Sequence, residues 1–276
     1  MEPTTVYAAW FSPTGTSKRI AEAVARGLAG DRAFNSLDAT HAAVAPPALG
    51  PDTPVVLAAP VYGGRIAPVA LERLEALRGN STPAIVVAVY GNRAFDGAVA
   101  QLARFAAERG FVPVAAAAFV GEHSYSSETT PIAAGRPDAE DLAAAEAFGA
   151  AVQRKIAAGR VAAVDASRLR TPRTPLWPML RFAAFVVRLR RRQKRNPAVL
   201  VPAGDAERCT RCGRCAALCP VEAIPNGEFL HTDPARCIRC NACVKGCPFG
   251  ARTYPTPFAA ALARNFARRK PPVTLL

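Results

Sequence analysis

Eight cysteines, grouped in two short runs between positions 209 and 247, are the residues whose type and spacing most clearly indicate chemistry. The runs read CTRCGRCAALCP and CIRCNACVKGCP, each of the form C-x2-C-x2-C-x3-C-P, and the second repeats the first at an offset of 28 residues. A disulfide framework would leave the first two hundred residues outside it, and a structural zinc site needs only four ligands, commonly in separated pairs. Two compact runs of four thiolates instead favour two [4Fe–4S] cubes.

The two runs resemble the bacterial two-cluster ferredoxins, and the resemblance spans residues 200–257. In that family the fourth cysteine of each run serves the other cluster. The resemblance therefore implies two [4Fe–4S] clusters, one held by Cys209, Cys212, Cys215 and Cys247, the other by Cys219, Cys237, Cys240 and Cys243. Pro220 and Pro248 would fix the chain after each fourth ligand. Between the runs, Asn226-Gly227 with apolar residues on both sides predicts a hairpin.

A hydroxyl-rich loop near the N-terminus is a second candidate site. Residues 11–17 read FSPTGTS and lie between an apolar run, TTVYAAWF, and the helical pattern IAEAVARGL. The first N–H groups of a helix point outward unpaired and its dipole favours negative charge there, so this loop can hold an anion. The alternative is that the Ser and Thr side chains only cap the helix, as they commonly do.

Two further loops follow other apolar runs, namely PVYGGRIAP at 60–68 and YGNRAFDG at 90–97. The carboxyl ends of parallel strands are where open α/β sheets bind their ligands, so the three loops are expected at one edge. The patterns G-x-x-x-x-G-K-[ST] and G-x-G-x-x-G do not occur in the chain. A nucleoside triphosphate or a dinucleotide is therefore not the expected ligand.

The loop SPTGTS resembles the phosphate-binding loop of the flavodoxin family, [ST]-x-T-G-x-[ST], and PVYGG and VYGNR are similar to that family's two ring-flanking loops. The resemblance covers about the first 160 residues and implies FMN. Its phosphate would bind to Ser12, Thr14, Gly15, Thr16 and Ser17. Its ring would lie beside Val61, Tyr62, Gly63, Gly64, Tyr90, Gly91, Asn92 and Arg93. Thr16 stands where the family usually has asparagine, and Pro13 cannot donate a backbone hydrogen bond.

The elements that must position these loops alternate between strand and helix. The strand-like runs, most of them continuously apolar, are TTVYAAWF, AFNSLDA, TPVVLAAP, PAIVVAVY and FVPVAAAAFV. Helical patterns are expected near 17–29, 66–77, 96–109 and 138–158. Continuously apolar strands indicate a parallel sheet covered on both faces. The predicted fold class is α/β, a flavodoxin-like doubly wound five-stranded parallel sheet over 1–160, followed by a small α+β ferredoxin-like domain over 200–257.

The formal charge of +14 is concentrated in residues 166–204 and 258–276, which together hold fourteen Lys or Arg without any Asp or Glu. These residues fall largely in a predicted basic, partly apolar connector over 161–199 and in a predicted basic C-terminal tail over 258–276. The connector could be a helix packed between the domains, or a docking surface for an acidic redox partner protein or an anionic membrane. Nucleic acid is not an expected partner, because no recognised motif accompanies the charge.

Length and composition place the protein among soluble two-domain chains. Half of its 276 residues are hydrophobic, and about two domains are expected at this length. No uncharged apolar stretch approaches the ~18 residues that span a bilayer. The first residues, MEPTT, have neither the basic nor the apolar region of a signal peptide, which predicts a cytoplasmic protein.

The combination resembles the flavodoxin–ferredoxin fusion family over nearly the whole chain. The resemblance implies an electron transfer protein that relays electrons between two [4Fe–4S] clusters and FMN. The alternative is an FMN-dependent reductase of a quinone or another small molecule, fed by the clusters. No catalytic residue is predicted, since the three histidines are scattered and His123-Ser124 lack a G-x-S-x-G elbow. These two residues follow the fifth strand, where a flavin contact is an open expectation.

Overall fold

The computed structural model describes residues 5–45, 47–195, 197 and 199–276. The chain forms two compact units, and neither is one continuous segment. The first, termed the sheet unit, consists of Met1–Glu122, Gly135–Pro172 and Arg269–Leu276. The second, termed the cysteine unit, consists of His123–Ala134 and Arg173–Arg268. The chain therefore passes from one unit to the other four times.

The sheet unit is built on five parallel strands. The strands described before residue 122 are β1 (Val6–Trp10), β2 (Phe34–Asp38), β3 (Val55–Tyr62), β4 (Arg65–Ile66), β5 (Thr82–Tyr90) and β6 (Phe111–Val120). The parallel strands lie in the order β2-β1-β3-β5-β6, which is the flavodoxin-like order. The prediction of a five-stranded parallel sheet is therefore confirmed. The first predicted strand begins at Thr4, which lies outside the described residues.

Two short antiparallel strands extend this sheet. β4 turns back on the end of β3, so that Tyr62 pairs with Arg65. β9 (Val273–Leu275) lies antiparallel to β6, so that Ala116 pairs with Leu275. The sequence predicts a tail at 258–276, whereas the structure forms a helix and this edge strand there. The C-terminal residues thus cover the open edge of β6, where unpaired backbone groups would otherwise face solvent.

Helices cover the sheet as the alternating pattern predicts. They are α1 (Thr16–Ala29), α2 (Pro68–Arg73), α3 (Ala98–Ala107) and α4 (Ala139–Ala157). Ile20, Val24 and Leu28, the apolar positions of α1 that showed helical spacing, are all fully buried in one core with residues of α4 and the sheet. α2 is shorter than predicted because it begins at Pro68 and gives way to turns after Leu74. Proline favours such a first position, since the N–H it lacks would have no helical partner.

α1 and α4 approach each other closely enough to exclude a side chain at two positions. A methyl group on Gly149 of α4 would overlap the carbonyl oxygen of Val24 and lie 2.9 Å from the backbone nitrogen of Leu28. A methyl group on Gly27 of α1 would overlap the carbonyl oxygen of Glu146 in α4. Since both obstacles are backbone atoms, neither can move aside without shifting a helix.

We expect Gly149→Ala to lower the free energy of unfolding by about 1–3 kcal/mol, as overpacking does. Helix propensity alone predicts the opposite, a gain of about 1 kcal/mol, because alanine favours the helix over glycine. Urea denaturation followed by circular dichroism measures the change.

The matched control is Ala147→Gly, at an exposed position of the same helix. It should lose about 1 kcal/mol through propensity alone. A stabilised Gly149→Ala variant would contradict the close helix contact.

The cysteine unit contains one long helix, α5 (Leu176–Arg195), and several short elements. The short elements are β7 (Ala203–Gly204), α6 (Arg214–Ala217), α7 (Ala242–Lys245), β8 (Arg252–Thr253) and α8 (Pro257–Asn265). β7 and β8 form an antiparallel pair. α5 packs on α8 and the residue that follows it through aromatic edges, with Phe185 on Phe258 at 5.4 Å and Phe182 on Phe266 at 5.0 Å between ring centroids. Across the described residues, no helix combines the length and apolar character required to traverse a bilayer.

The hairpin predicted at Asn226-Gly227 is wrong in part. The residues form a turn, in which Glu228 N donates to Pro225 O at 3.1 Å, but the described residues on either side form no strand. The carbonyl oxygen of Phe229, which a hairpin would direct to a facing strand, accepts instead from the Arg252 guanidinium. The only strand pair of this unit that the structure describes is β7 with β8, which flank the two cysteine runs.

Candidate cofactor sites

Each cysteine run winds into a short helix just after its second cysteine. α6 begins after Gly213 and α7 after Asn241, and both of these residues have left-handed backbone conformations, with φ of 76° and 59°. Arg211 and Arg239, also 28 positions apart, have φ of 57° and 56°. Residues other than glycine rarely adopt this conformation. The repeat in the sequence is therefore also a repeat in the structure.

Two backbone hydrogen bonds connect the runs reciprocally. Asp205 N donates to Ala251 O at 2.8 Å, and Asp233 N donates to Ala223 O at 2.7 Å. Each donor precedes the first cysteine of one run by four residues, and each acceptor follows the last cysteine of the other run by four. The start of each run is thus fixed beside the end of the other. This arrangement supports ligand sets in which the fourth cysteine comes from the opposite run.

A cavity that is partly open to solvent lies in this unit. The cysteines in its wall are Cys219, Cys237, Cys240 and Cys243. These are the four that the resemblance assigns to one cluster, and the remaining wall is mostly apolar. All eight cysteines are free thiols. Among the described residues, no three His, Cys, Asp or Glu side chains form a group able to hold a single metal ion.

Three of the four thiols in the cavity wall are desolvated by burial. Burial raises the pKa of Cys240 to about 12 and that of Cys243 to about 11, and it also raises the pKa of Cys237. Metal centres bind the thiolate, and burial in an apolar wall disfavours this charged form. A bound centre with positive charge reverses the preference, because it deprotonates its thiol ligands. Four cysteines in one wall are therefore compatible with a metal centre that would deprotonate its thiol ligands.

Backbone N–H groups point at the sulfur atoms of the two fourth cysteines. Ala223 N donates to Cys219 Sγ at 3.2 Å, and Ala251 N donates to Cys247 Sγ at 3.3 Å. The pKa of Cys247 is below its ordinary value, since burial, which would raise it, is outweighed by four backbone N–H groups. Such hydrogen bonds stabilise sulfur that carries negative charge, and they tune the potential of iron–sulfur clusters.

Arg252 is a buried cation in the middle of this unit, with 3% of its surface exposed. Its guanidinium donates to the carbonyl oxygens of Phe229 at 2.7 Å, Pro202 at 3.0 Å and His231 at 3.2 Å, and it contacts Thr232 Oγ1. Its Nε has no hydrogen-bond partner among the residues that the structure describes. The carbonyl groups hold the charge in place without neutralising it.

Arg252 breaks the two-fold relation between the runs. The residue 28 positions earlier is Ile224, which is buried and apolar. The positive charge of Arg252 opposes the effect of burial on the pKa of Cys215, Cys237 and Cys243. Sequence reasoning missed this residue, although aligning the two runs at their constant offset places an arginine opposite an isoleucine.

The segment after β6 belongs to the cysteine unit, including His123 and Ser124. Asn241 Nδ2 donates to Ser124 O at 3.0 Å, and Lys245 Nζ donates to Ser126 O at 3.4 Å. The residues that follow the fifth parallel strand thus bind the helix that carries Cys243. Their proposed flavin contact stays a prediction.

In the sheet unit, the hydroxyl-rich loop connects β1 to α1. Gly15 precedes the helix with φ of 82°, and no side chain caps the helix from that position. Ser12 Oγ accepts from Lys18 N at 3.0 Å, so this hydroxyl serves the helix start as the capping alternative expects. Ser17 is buried, and its Oγ has no hydrogen-bond partner in the described part of the chain. An unsatisfied buried hydroxyl beside a helix N-terminus fits a bound anion such as the FMN phosphate.

The two predicted ring loops differ in exposure. Tyr62 is half-buried at the end of β3, where β4 turns back. Tyr90 is buried at the end of β5, with its ring edge-on to Phe95 at 5.4 Å, and burial raises its pKa. The Tyr90 ring is therefore part of the core, whereas its carbonyl oxygen accepts from Asn92 N at 3.0 Å and shapes the loop. The ring contacts assigned to these loops stay predictions.

The C-terminal residues brace one of these loops. Lys270 Nζ donates to Arg93 O at 2.5 Å, and Lys270 O accepts from the buried Arg136 guanidinium at 3.0 Å. Arg136 also forms a buried ion pair with Asp141, with 2.7 Å between Nε and Oδ2. Burial lowers the pKa of Lys270 to about 8. Sequence reasoning missed this brace, because a three-residue strand in a basic segment gives no recognisable pattern.

The molecule thus combines a sheet in flavodoxin-like order with a unit of paired cysteine runs. Residues 202–248 match the family of 4Fe-4S dicluster domains. No curated protein matches the chain.

Several solved structures are similar to part of the chain. A flavodoxin from the domain Archaea is 13% identical, with 56% of this chain and 99% of that chain covered and a TM-score of 0.35. A flavodoxin of Streptococcus pneumonia TIGR4 is 19% identical, with coverages of 54% and 99% and a TM-score of 0.36. The Flv1 flavodiiron core from Synechocystis sp. PCC6803 is 15% identical, with coverages of 57% and 37% and a TM-score of 0.38. Because these identities and TM-scores are low, the fold assignment rests on the order of the strands and not on these structural similarities.

Two serine substitutions distinguish the two possible roles of this loop, as an anion site or as a helix cap. Ser17→Ala removes an unsatisfied buried hydroxyl, so we expect the flavin-free protein to gain about 1 kcal/mol of stability. Ser12→Ala removes the acceptor for Lys18 N, so we expect a loss of about 1 kcal/mol. Urea denaturation of the flavin-free protein measures both changes.

Ser17→Ala should change FMN affinity in the opposite sense to its effect on stability. A hydrogen bond to a phosphate contributes about 1.5–3 kcal/mol, so Ser17→Ala should weaken binding about tenfold or more. Titration of FMN fluorescence quenching measures the affinity. An unchanged affinity in Ser17→Ala would mean that the buried hydroxyl does not face the phosphate.

Proposed function

We propose that the protein transfers electrons between two [4Fe–4S] clusters and one FMN held in the same chain. The observation that carries the proposal is the cavity whose wall contains Cys219, Cys237, Cys240 and Cys243, three from one run and one from the other. FMN exchanges one or two electrons and each cluster exchanges one, so together they would link one-electron carriers to a two-electron donor or acceptor.

The residues of the chain have distinct roles in this proposal. Eight thiolates hold the clusters, and the N–H groups of Ala223 and Ala251 stabilise the sulfur charge at the fourth ligands. Arg252 supplies a fixed positive charge near both ligand sets. In the sheet unit, residues 12–17 hold the phosphate at the helix start, and the brace from Lys270 fixes the loop at Arg93.

The first experiment is cofactor content per chain in anaerobically purified protein. We expect about one FMN, about eight iron and about eight sulfide, because two four-iron cubes need eight such thiolates. Cys219→Ala and Cys247→Ala should each retain about half of the iron, since each substitution removes a ligand from one cluster only. Iron and sulfide analysis together with acid-released flavin measures all three quantities.

Ser17→Ala is the matched control, because it should keep the full iron content while its flavin is lost on dilution. Full iron without flavin in the wild type would overturn the flavin half of the proposal. Metal without sulfide would overturn the cluster half. Steady turnover with a soluble quinone would favour the reductase alternative.

The buried charge of Arg252 predicts an effect on cluster potential. A fixed cation favours the reduced, more negative state of a nearby cluster, and burial limits its screening by solvent. Arg252→Gln should therefore lower the reduction potential, most strongly for the cluster that Cys243 ligates. Arg252→Lys, which keeps the charge, should change the potential less. Redox titration monitored by electron paramagnetic resonance measures both clusters.

Arg190→Gln/Arg191→Gln/Arg192→Gln is the matched control on the exposed surface of α5, where solvent screens the charge. It should shift the potentials less than Arg252→Gln, although it removes three charges. Equal potentials in Arg252→Gln and the wild type, at full iron content, would refute the role of Arg252.

A further inference from the structure

α5 has two apolar stripes, of which α8 covers one. The half-buried residues Pro178, Phe182, Phe185 and Leu189 follow helical spacing along one side, and two of these rings pack on α8. Arg181 on the same side donates to Asn265 Oδ1 at 2.7 Å. This stripe explains why the helix is held in place, and it leaves the opposite side of the helix free.

The opposite side presents large apolar side chains to solvent. Leu176, Leu180 and Val187 lie on one line along the helix and are 71%, 50% and 48% exposed. Trp177 and Met179 flank this line and are 79% and 47% exposed. No residue of α5 is buried. Contiguous exposed apolar side chains of this size indicate an interaction site.

The same line continues into dense positive charge. α5 carries seven Lys or Arg and no Asp or Glu, and six of the seven lie between Arg188 and Arg195. Lys194 and Arg191 extend the line of Leu176, Leu180 and Val187 towards the C-terminal end. The free face is therefore apolar over its first three turns and cationic over its last two.

We propose that α5 binds the surface of an anionic lipid bilayer and lies in the interface without crossing it. Tryptophan and aliphatic side chains enter the acyl boundary, and Lys or Arg side chains contact the acidic headgroups. Apart from Trp177 and Gln193, every side chain of α5 is either apolar or cationic. A specific protein interface carries about one hydrogen bond per 100–200 Å². Over the apolar turns of this face, the side-chain donor that the sequence offers is the indole N–H of Trp177. A fluid bilayer requires only the two properties that the face has.

The fluorescence of Trp177 can report this binding. It contains two tryptophans, and Trp10 is buried in the sheet unit whereas Trp177 is exposed. Entry of Trp177 into lipid should shift its fluorescence to shorter wavelength, and Trp177→Phe gives the spectrum of Trp10 alone. The proposal does not depend on electron relay, so it can fail while the proposed function holds.

The experiment uses the complete, cofactor-loaded protein with vesicles of phosphatidylcholine alone or of equimolar phosphatidylcholine and phosphatidylglycerol. We expect sedimentation with the anionic vesicles, a blue shift of Trp177, and weaker binding at high salt. Arg190→Gln/Arg191→Gln/Arg192→Gln should weaken binding on the order of a hundredfold, because each cation near the surface contributes about 1 kcal/mol. Trp177→Ser/Leu180→Ser should weaken it by at least about tenfold.

Arg104→Gln/Arg154→Gln/Arg160→Gln is the matched control, since it removes three exposed arginines outside α5. It should bind as the wild type does. Equal weakening by this control would overturn the proposal, because binding would then follow net charge alone. Absence of the blue shift would overturn it too. Binding to polyglutamate without binding to vesicles would assign the face to an acidic protein instead.

Discussion

The reciprocal hydrogen bonds between the two cysteine runs are the constraint on which the cysteine unit depends. They lie beside the cavity whose wall contains four thiols from two distant segments, and burial raises the pKa of Cys237, Cys240 and Cys243. The buried core cluster at the runs consists of Cys215, Ile224 and Cys243, so it is small and partly made of the ligands themselves. A core of this kind gains much of its stability from the metal it binds, which couples folding to cofactor insertion.

A symmetric frame holds two unequal sites. The backbone conformations and the N–H groups at the sulfur atoms repeat between the runs, whereas Arg252 and Ile224 occupy equivalent positions with opposite character. A gene duplication would give two identical sites at first. If each site held a cube, a single buried charge would be sufficient to make two chemically identical cubes differ in potential, and that difference would give electron transfer between them a direction.

The parts that sequence predicted correctly are those set by local pattern. β5 and β6 were predictable because a strand covered on both faces must be apolar throughout. Arg252 was not predictable, because its burial depends on carbonyl groups of Phe229 and Pro202 far along the chain. β9 was missed because three residues are too few for a period to appear. At Asn226 the turn forms, but the described residues beside it form no strand, and the carbonyl oxygen of Phe229 accepts from the distant Arg252.

The path of the chain has a consequence for assembly. β6 ends at Val120, but the strand that covers its edge begins at Val273, and both segments of the cysteine unit are encoded between the two. During synthesis the edge of β6 therefore stays unpaired, and the loop at Arg93 lacks its contact with Lys270, until the cysteine runs have left the ribosome. Translation order thus means that β9 can complete the sheet only after both cysteine runs have been synthesised.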